Sequence, residues 1–160
     1  MDPGLNVTGY GLVREVPGGL ACVAYGAVRT AAGQPRERRL ARIHGALTAL
    51  LAEHRPAAVA LEEPFVAVNV RSAFAIGEAR AAVMLAAAGA GVPVYQYPPA
   101  TVKQAVAGYG RGGKAQVQEM VRLQLGLASA PHPADAADAL ALAICHLAHR
   151  RAVAAEERRA

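Results

Sequence analysis

Thr8-Gly9-Tyr10-Gly11-Leu12-Val13, then Pro17-Gly18-Gly19, then Ala21-Cys22-Val23-Ala24-Tyr25-Gly26-Ala27-Val28 decide the architecture. The outer segments are short and carry Val, Tyr and Thr, which suit a pleated, half-buried surface, and the Pro-Gly-Gly between them is turn chemistry. This stretch predicts a β-hairpin. The period then changes: Pro35 to His54 sets Leu40, Ile43, Leu47, Leu50 and Leu51 on one helical stripe, with arginines opposite. Ala57 to Glu62 reads as a buried strand between Pro56 and Pro64, Val70 to Ala88 as a helix closed by Gly89 and Gly91, and Val92 to Tyr97 as another strand. Pro98-Pro99 opens a short helix over Ala100 to Ala107. Tyr109 to Gly113 is a Gly-rich loop, and Lys114 to Leu125 and Ala134 to Arg151 are helices. A hairpin followed by alternating helix and strand predicts an α/β fold, a mixed sheet with helices on both sides.

At 160 residues the chain is expected to form one domain, residues 1–153, with a flexible charged tail over 154–160. Hydrophobic residues make up 54%, enough for a sizeable core. No apolar run reaches the roughly 20 residues that span a bilayer, and no basic segment followed by an apolar one marks secretion, so no membrane and a cytoplasmic location are expected. Cys22 and Cys145 lie far apart without ligand spacing and read as small buried hydrophobes. Phe74 reads as core. Lys plus Arg number 17 against 12 Asp plus Glu, a formal +5 that favours a polyanionic partner. One element is short: Asp2 should end a central strand, yet only Met1 precedes it. The expectation is that translation begins upstream of this Met1, the other possibility being a truncated first strand and a compromised site.

Asp2 precedes a proline, which holds its backbone extended, and Gly9 and Gly11 leave one strand face open to close backbone approach. Glu62 ends a buried strand, where α/β sheets commonly bind ligands, and Glu63 alternates to the other face. Asp135 and Asp138 share a helix face at i and i+3. Taken singly, each has a plain structural explanation: turn chemistry at Asp2, a solvated strand end at Glu62, a first-turn charge on the helix dipole at Asp135 and Asp138. Lys103, Arg111 and Lys114 form a short basic track among Gly108, Gly110, Gly112 and Gly113, which is either a phosphate path or a solvated loop. Phe65 follows Glu62-Glu63-Pro64 on a loop leading into a helix, where exposure is plausible.

Taken in order along nearly the whole chain, the pieces resemble the RuvC family of Holliday junction resolvases. They are Asp2-Pro3-Gly4 with Thr8-Gly9-Tyr10-Gly11, Leu61-Glu62-Glu63-Pro64-Phe65, Asn69 with Arg71-Ser72-Ala73, Gly77-Glu78-Ala79-Arg80, Val102-Lys103-Gln104, Lys114-Ala115-Gln116-Val117, and Asp135-Ala136-Ala137-Asp138-Ala139-Leu140. The apolar residues that the family places before Asp-Pro-Gly are absent here. The resemblance implies an RNase H-like fold with a five-stranded mixed sheet whose first strand is truncated in this chain. It implies a homodimer joined through the helix at Val70 to Ala88. Asp2, Glu62, Asp135 and Asp138 become a catalytic quartet holding two Mg²⁺, or Mn²⁺, and all-oxygen ligation suits such hard ions. Lys103, Arg111 and Lys114 become DNA contacts, and Phe65 stacks into the opened junction.

The expected activity is paired, symmetric nicking of four-way DNA junctions in recombination and repair. A branch-migration complex of the RuvA and RuvB type and a bacterial, nucleoid-associated location are the expected setting. Two rivals remain. One is a junction-binding protein with an impaired catalytic site. The other is a nucleotide-binding ATPase of the two-lobed kind, for which one domain is too little.

Overall fold

The computed structural model describes residues 1–63, 69–108 and 113–159. In chain order they form β1 (Val7–Val16), β2 (Gly19–Arg29), α1 (Arg36–His54), β3 (Val59–Glu62), α2 (Val70–Gly89), β4 (Val94–Tyr97), α3 (Pro99–Ala107), α4 (Lys114–Gln124) and α5 (Ala134–Glu157). β1 and β2 make the predicted hairpin, antiparallel from Val7↔Arg29 to Val16↔Gly19, with an irregularity between Leu12 and Val13. It is longer than the apolar pattern suggested because half-exposed residues at its tip still pair. Gly18 turns the chain at φ 85°, a left-handed conformation in which a side chain would be strained. β3 and β4 are parallel, Val59↔Val94 to Glu62↔Tyr97, joined by α2 as a crossover.

The sheet is in two pairs, β1-β2 and β3-β4, rather than one continuous ribbon. Only Met1 and Asp2 lie between them. Asp2 and Gly9 exchange backbone hydrogen bonds of 2.9 Å each way, and the Met1 amino group donates to the Ala60 carbonyl at 2.8 Å. Met1 and Asp2 thus link the two strand pairs through backbone hydrogen bonds.

Helices cover both faces, and β3 shows how the alternation works. Val59 and Leu61 face α1 and α2, in a core with Ile43, Leu47, Val83 and Ala87. Ala60 faces the other way, into a core with Val102, Val106, Val121, Leu140 and Ile144 from α3, α4 and α5. Ile43, Leu47, Leu61 and Leu140 are fully buried, and truncating any of them to alanine would cost about 2–5 kcal/mol. Cys145 is buried and Cys22 half-buried, both as free thiols.

α2 differs from expectation. It buries Ala79, Arg80, Ala82, Val83, Ala86 and Ala87 but leaves Val70, Phe74 and Leu85 more than 60% exposed. Phe74 is therefore not core: it lies on the outer face of a helix that is apolar on both sides. By length and composition α2 is also the one described helix that could cross a membrane, yet its inner face packs on α1 and carries Arg80. α5 continues past its expected end at Arg151 to Glu157, with Arg151 bonded to Glu15 at the hairpin tip.

Candidate active site

Three elements bring the four predicted carboxylates towards one end of the sheet. Asp2 is pinned by its bridge to Gly9. A Cβ on Gly9 would lie 2.0 Å from the Asp135 carbonyl oxygen, and one on Gly11 would lie 2.7 Å from Leu140 side-chain carbons. The two glycines let the start of α5 rest directly on β1, which sets Asp135 and Asp138 beside Asp2. The close approach that Gly9 and Gly11 permit is therefore that of a helix. Asp135 and Asp138 are both half-buried in the first turns of α5, whose residue before the helix, Pro133, offers no side-chain cap.

Glu62 ends β3, half-buried, while Glu63 is exposed, as strand alternation required. The strand end is held from two sides. The Glu63 N–H donates to the Tyr97 carbonyl at 2.8 Å, and Arg80 from α2 donates to the Glu62 carbonyl. Arg80 also donates to Gln96 Oε1 at 2.6 Å, so one guanidinium fork joins both strands of the β3-β4 pair. Sequence reasoning gave Arg80 no role. Its signal was there: a lone arginine on the Ala79, Ala82, Val83, Ala86 stripe is either misplaced or fixing something.

The electrostatics show that Asp2 and Glu62 feel the neighbouring acids. Burial first, then Asp138, push the Asp2 carboxyl up to about 6; the Met1 ammonium opposes this, and Asp135 and Glu62 add to it. Burial, then Asp138, also raise Glu62, against Lys103, Arg80 and Lys114. Burial lowers the Met1 amino group to about 5. Lys114 Nζ donates to Asp138 Oδ2 at 2.7 Å, and that hydrogen bond leads in raising the lysine above its ordinary value. Lys103 is half-buried on α3 on the Glu62 side.

Among the described residues, no three His, Cys, Asp or Glu side chains stand together as a ready cage for one ion. Asp138 holds Lys114 instead. The donor set nevertheless fits a hard divalent cation in its chemistry: the carboxylates are all oxygen donors, and burial with neighbouring acids raises both Asp2 and Glu62, a cost that a bound cation would relieve. Among the sequence-predicted site residues, Asp2, Glu62, Asp135, Asp138, Lys103 and Lys114 are brought to this region. Phe65 and Arg111 lie outside the described residues.

Comparison with known proteins gives a consistent result. A family model described as crossover junction endodeoxyribonuclease RuvC matches residues 1–146. The crossover junction endodeoxyribonuclease RuvC of Chloroflexus aggregans is 51% identical over 146 residues, covering 91% of this chain and 89% of that protein. That of Rubrobacter xylanophilus is 49% identical over 155 residues, covering 96% and 87%. Among solved structures, T. thermophilus RuvC in complex with Holliday junction substrate superposes with a TM-score of 0.86 at 40% identity, covering 94% of this chain and 92% of that one. A structure of Thermus thermophilus RuvC alone gives 0.87 at 42% identity, with the same coverage. The architecture is the RNase H-like mixed α/β fold expected from the sequence, and the chain belongs to the RuvC family of crossover junction endodeoxyribonucleases.

Proposed function

We propose that this protein is a metal-dependent endonuclease that resolves four-way DNA junctions by paired, symmetric nicks. The observation that carries the reading is that carboxylates from three separate elements converge closely enough for Asp138, Asp135 and Glu62 to raise Asp2 and for Asp138 to raise Glu62, with Lys103 and Lys114 beside them. Such a cluster is costly in a fold unless it meets positive charge. Asp2, Glu62, Asp135 and Asp138 would hold two Mg²⁺ or Mn²⁺ per subunit. Hard divalent ions, when bound, supply the activation of water and the stabilisation of the leaving oxygen that phosphodiester hydrolysis requires.

The chain's own residues do the rest. Arg80 fixes the strand end that presents Glu62. Lys114 neutralises Asp138 in the metal-free protein and, once released, is positioned to meet a phosphate. Lys103 adds positive charge on the Glu62 side, and Arg111 extends the basic track. Phe65, three residues after Glu62 in the sequence, is assigned the stacking contact on a base at the junction centre, worth about 1–3 kcal/mol. The exposed outer face of α2, with Val70, Phe74 and Leu85, joins two copies into a homodimer that presents two sites to two strands. A branch-migration complex of the RuvA and RuvB type, acting in the bacterial cytoplasm at the nucleoid, is the setting for this activity.

The deciding experiment compares a synthetic four-way junction with matched linear duplex while Mg²⁺ and Mn²⁺ are varied. Symmetric cleavage of the junction alone, lost in Glu62→Gln with junction binding retained, is the expected result. A second reading, junction binding without cutting, is favoured by one observation: among the described residues no three acids stand together as a ready cage, and Asp138 holds Lys114. Retained binding with no cleavage at any metal concentration would select it.

A further inference from the structure

Arg39 is a charge in a place built for apolar side chains. The sequence pattern sets the arginines of α1 opposite its apolar stripe, and Arg39 departs from it. It lies four residues before Ile43, on the buried stripe that continues through Leu47 and Leu51, and is only 8% exposed. A buried cation is costly unless it is paired or hydrogen-bonded. Among the described residues no carboxylate pairs with it. Its partners are neutral: Nε donates to Thr30 Oγ1 at 2.9 Å, and Nη2 donates to Asn6 Oδ1.

Asn6 belongs to the turn that carries Asp2 into β1, and Thr30, just past β2, is bonded to that turn. Thr30 Oγ1 donates its own proton to the Leu5 carbonyl at 2.5 Å, and the Thr30 N–H donates to the Asn6 carbonyl at 3.0 Å. Thr8, fully buried, donates from Oγ1 to the Gly4 carbonyl at 2.8 Å. The carbonyls of Gly4, Leu5 and Asn6 are therefore all engaged. Asp2 exchanges backbone bonds with Gly9 where the turn meets β1. In this network Arg39 is the contact that comes from outside the hairpin and its turn. Thus α1 grips the Asp2 turn through Arg39 as α2 grips the Glu62 strand end through Arg80. Both sheet-borne acids are held from one helix layer, while Asp135 and Asp138 come from α5 on the other face.

We infer that Arg39 is a positioning residue for Asp2: acting through Asn6 and Thr30, it fixes the turn that presents this carboxylate to a divalent cation. The inference rests on the site proposed above. The guanidinium acts by its fork as well as its charge, since two acceptors in different segments need two fixed N–H directions.

The test uses full-length Arg39→Lys, Asn6→Leu and Asn6→Asp. Asn6 is exposed, so its side chain can be changed without opening the core. In chelator, Arg39→Lys and Asn6→Leu should each speed amide exchange at Gly9 and Thr30 at least about ten-fold, with exchange at Glu63 unchanged. Both should weaken Mn²⁺ binding by calorimetry about 10- to 100-fold and lower kcat on the junction, with KM unchanged. Asn6→Asp keeps an oxygen acceptor before the guanidinium and should show parental exchange and metal affinity. Equal acceleration at Gly9, Thr30 and Glu63 would make Arg39 a general stabiliser and overturn the inference. Faster exchange at Gly9 with parental Mn²⁺ affinity would overturn it too, leaving a clamp that the site does not feel, and so would parental values in both variants. A parent that binds no Mn²⁺ would sink the metal site itself and the inference with it, a result recognised before any variant is made.

Discussion

The backbone oxygen of Asp135 occupies the space beside Gly9 that any side chain would need, 2.0 Å from where a Cβ would stand. That contact seats α5 on β1 and brings the Asp135–Asp138 turn to Asp2. Because the obstructing atoms are backbone, they cannot swing aside as a long side chain could. Gly9→Ala should therefore displace the start of α5, costing about 1–3 kcal/mol in urea unfolding. It should also weaken Mn²⁺ binding by calorimetry at least about ten-fold. Full metal affinity in a correctly folded Gly9→Ala protein would disconnect this packing from the site.

Arg80 acts on Glu62 through the backbone, holding the strand end from which the carboxylate projects. Arg80→Lys keeps the charge but loses the fork that spans β3 and β4. It should lower junction cleavage by about 10- to 100-fold and weaken metal binding, with junction affinity unchanged. Arg80→Met leaves the Glu62 carbonyl and Gln96 without their donor, and should cost about 1–3 kcal/mol of stability as well. Cleavage and metal affinity both at parental levels in Arg80→Lys would reduce Arg80 to a strand clip.

Much of this site was legible in the sequence because its signals are local. An acid before proline, an acid ending an apolar strand, and two acids at i and i+3 can each be placed on an element without the fold. Their convergence depends on tertiary packing, and there the cues were indirect. Gly9 and Gly11 announced a close approach but not that α5 would make it. Arg80 sits in an alanine-rich helix, and no periodicity rule separates a buried guanidinium with partners from a solvated one. Phe74 was misplaced for a related reason: α2 is apolar all round, so its pattern does not say which face turns inward. The split of the sheet into the β1-β2 and β3-β4 pairs showed only in the strand pairing itself.

Lys114 and Asp138 make an ion pair at 2.7 Å in which the lysine is well exposed, so the pair should contribute at most about 1 kcal/mol to stability. Its larger effect is on occupancy of the site, because Asp138 must exchange Lys114 for a cation. Lys114→Ala should tighten Mn²⁺ binding in the absence of DNA by up to about five-fold. The same substitution should reduce the dependence of junction affinity on salt by about one unit of log–log slope. Lys103→Ala should show the reduced slope without the gain in metal affinity, since Lys103 makes no hydrogen bond to Asp138. An unaltered slope in both variants would remove the two lysines from the phosphate path.

Asp2 makes the metal-free protein sensitive to pH. Its carboxyl is raised from 3.8 to about 6, so the folded state binds the proton more tightly than the unfolded chain does. The associated stability is complete below about pH 4 and disappears as pH rises through about 6. Glu62 is raised as well and acts in the same sense. The Met1 amino group, lowered to about 5, acts in the opposite sense between about pH 5 and its ordinary value of 8.0. Comparing Asp2→Asn with the parent cancels the Met1 contribution to first order. In chelator, Asp2→Asn should melt higher than the parent at about pH 8, by the equivalent of on the order of 2 kcal/mol, and the gap should close towards about pH 4. Metal should reverse the order at high pH, stabilising the parent but not the variant. At about pH 6, Mn²⁺ binding to the parent should also release a fraction of a proton, visible as a calorimetric heat that scales with buffer ionisation and vanishes at about pH 8. A pH-independent gap between the two proteins would mean that Asp2 is not the desolvated acid at the centre of the site.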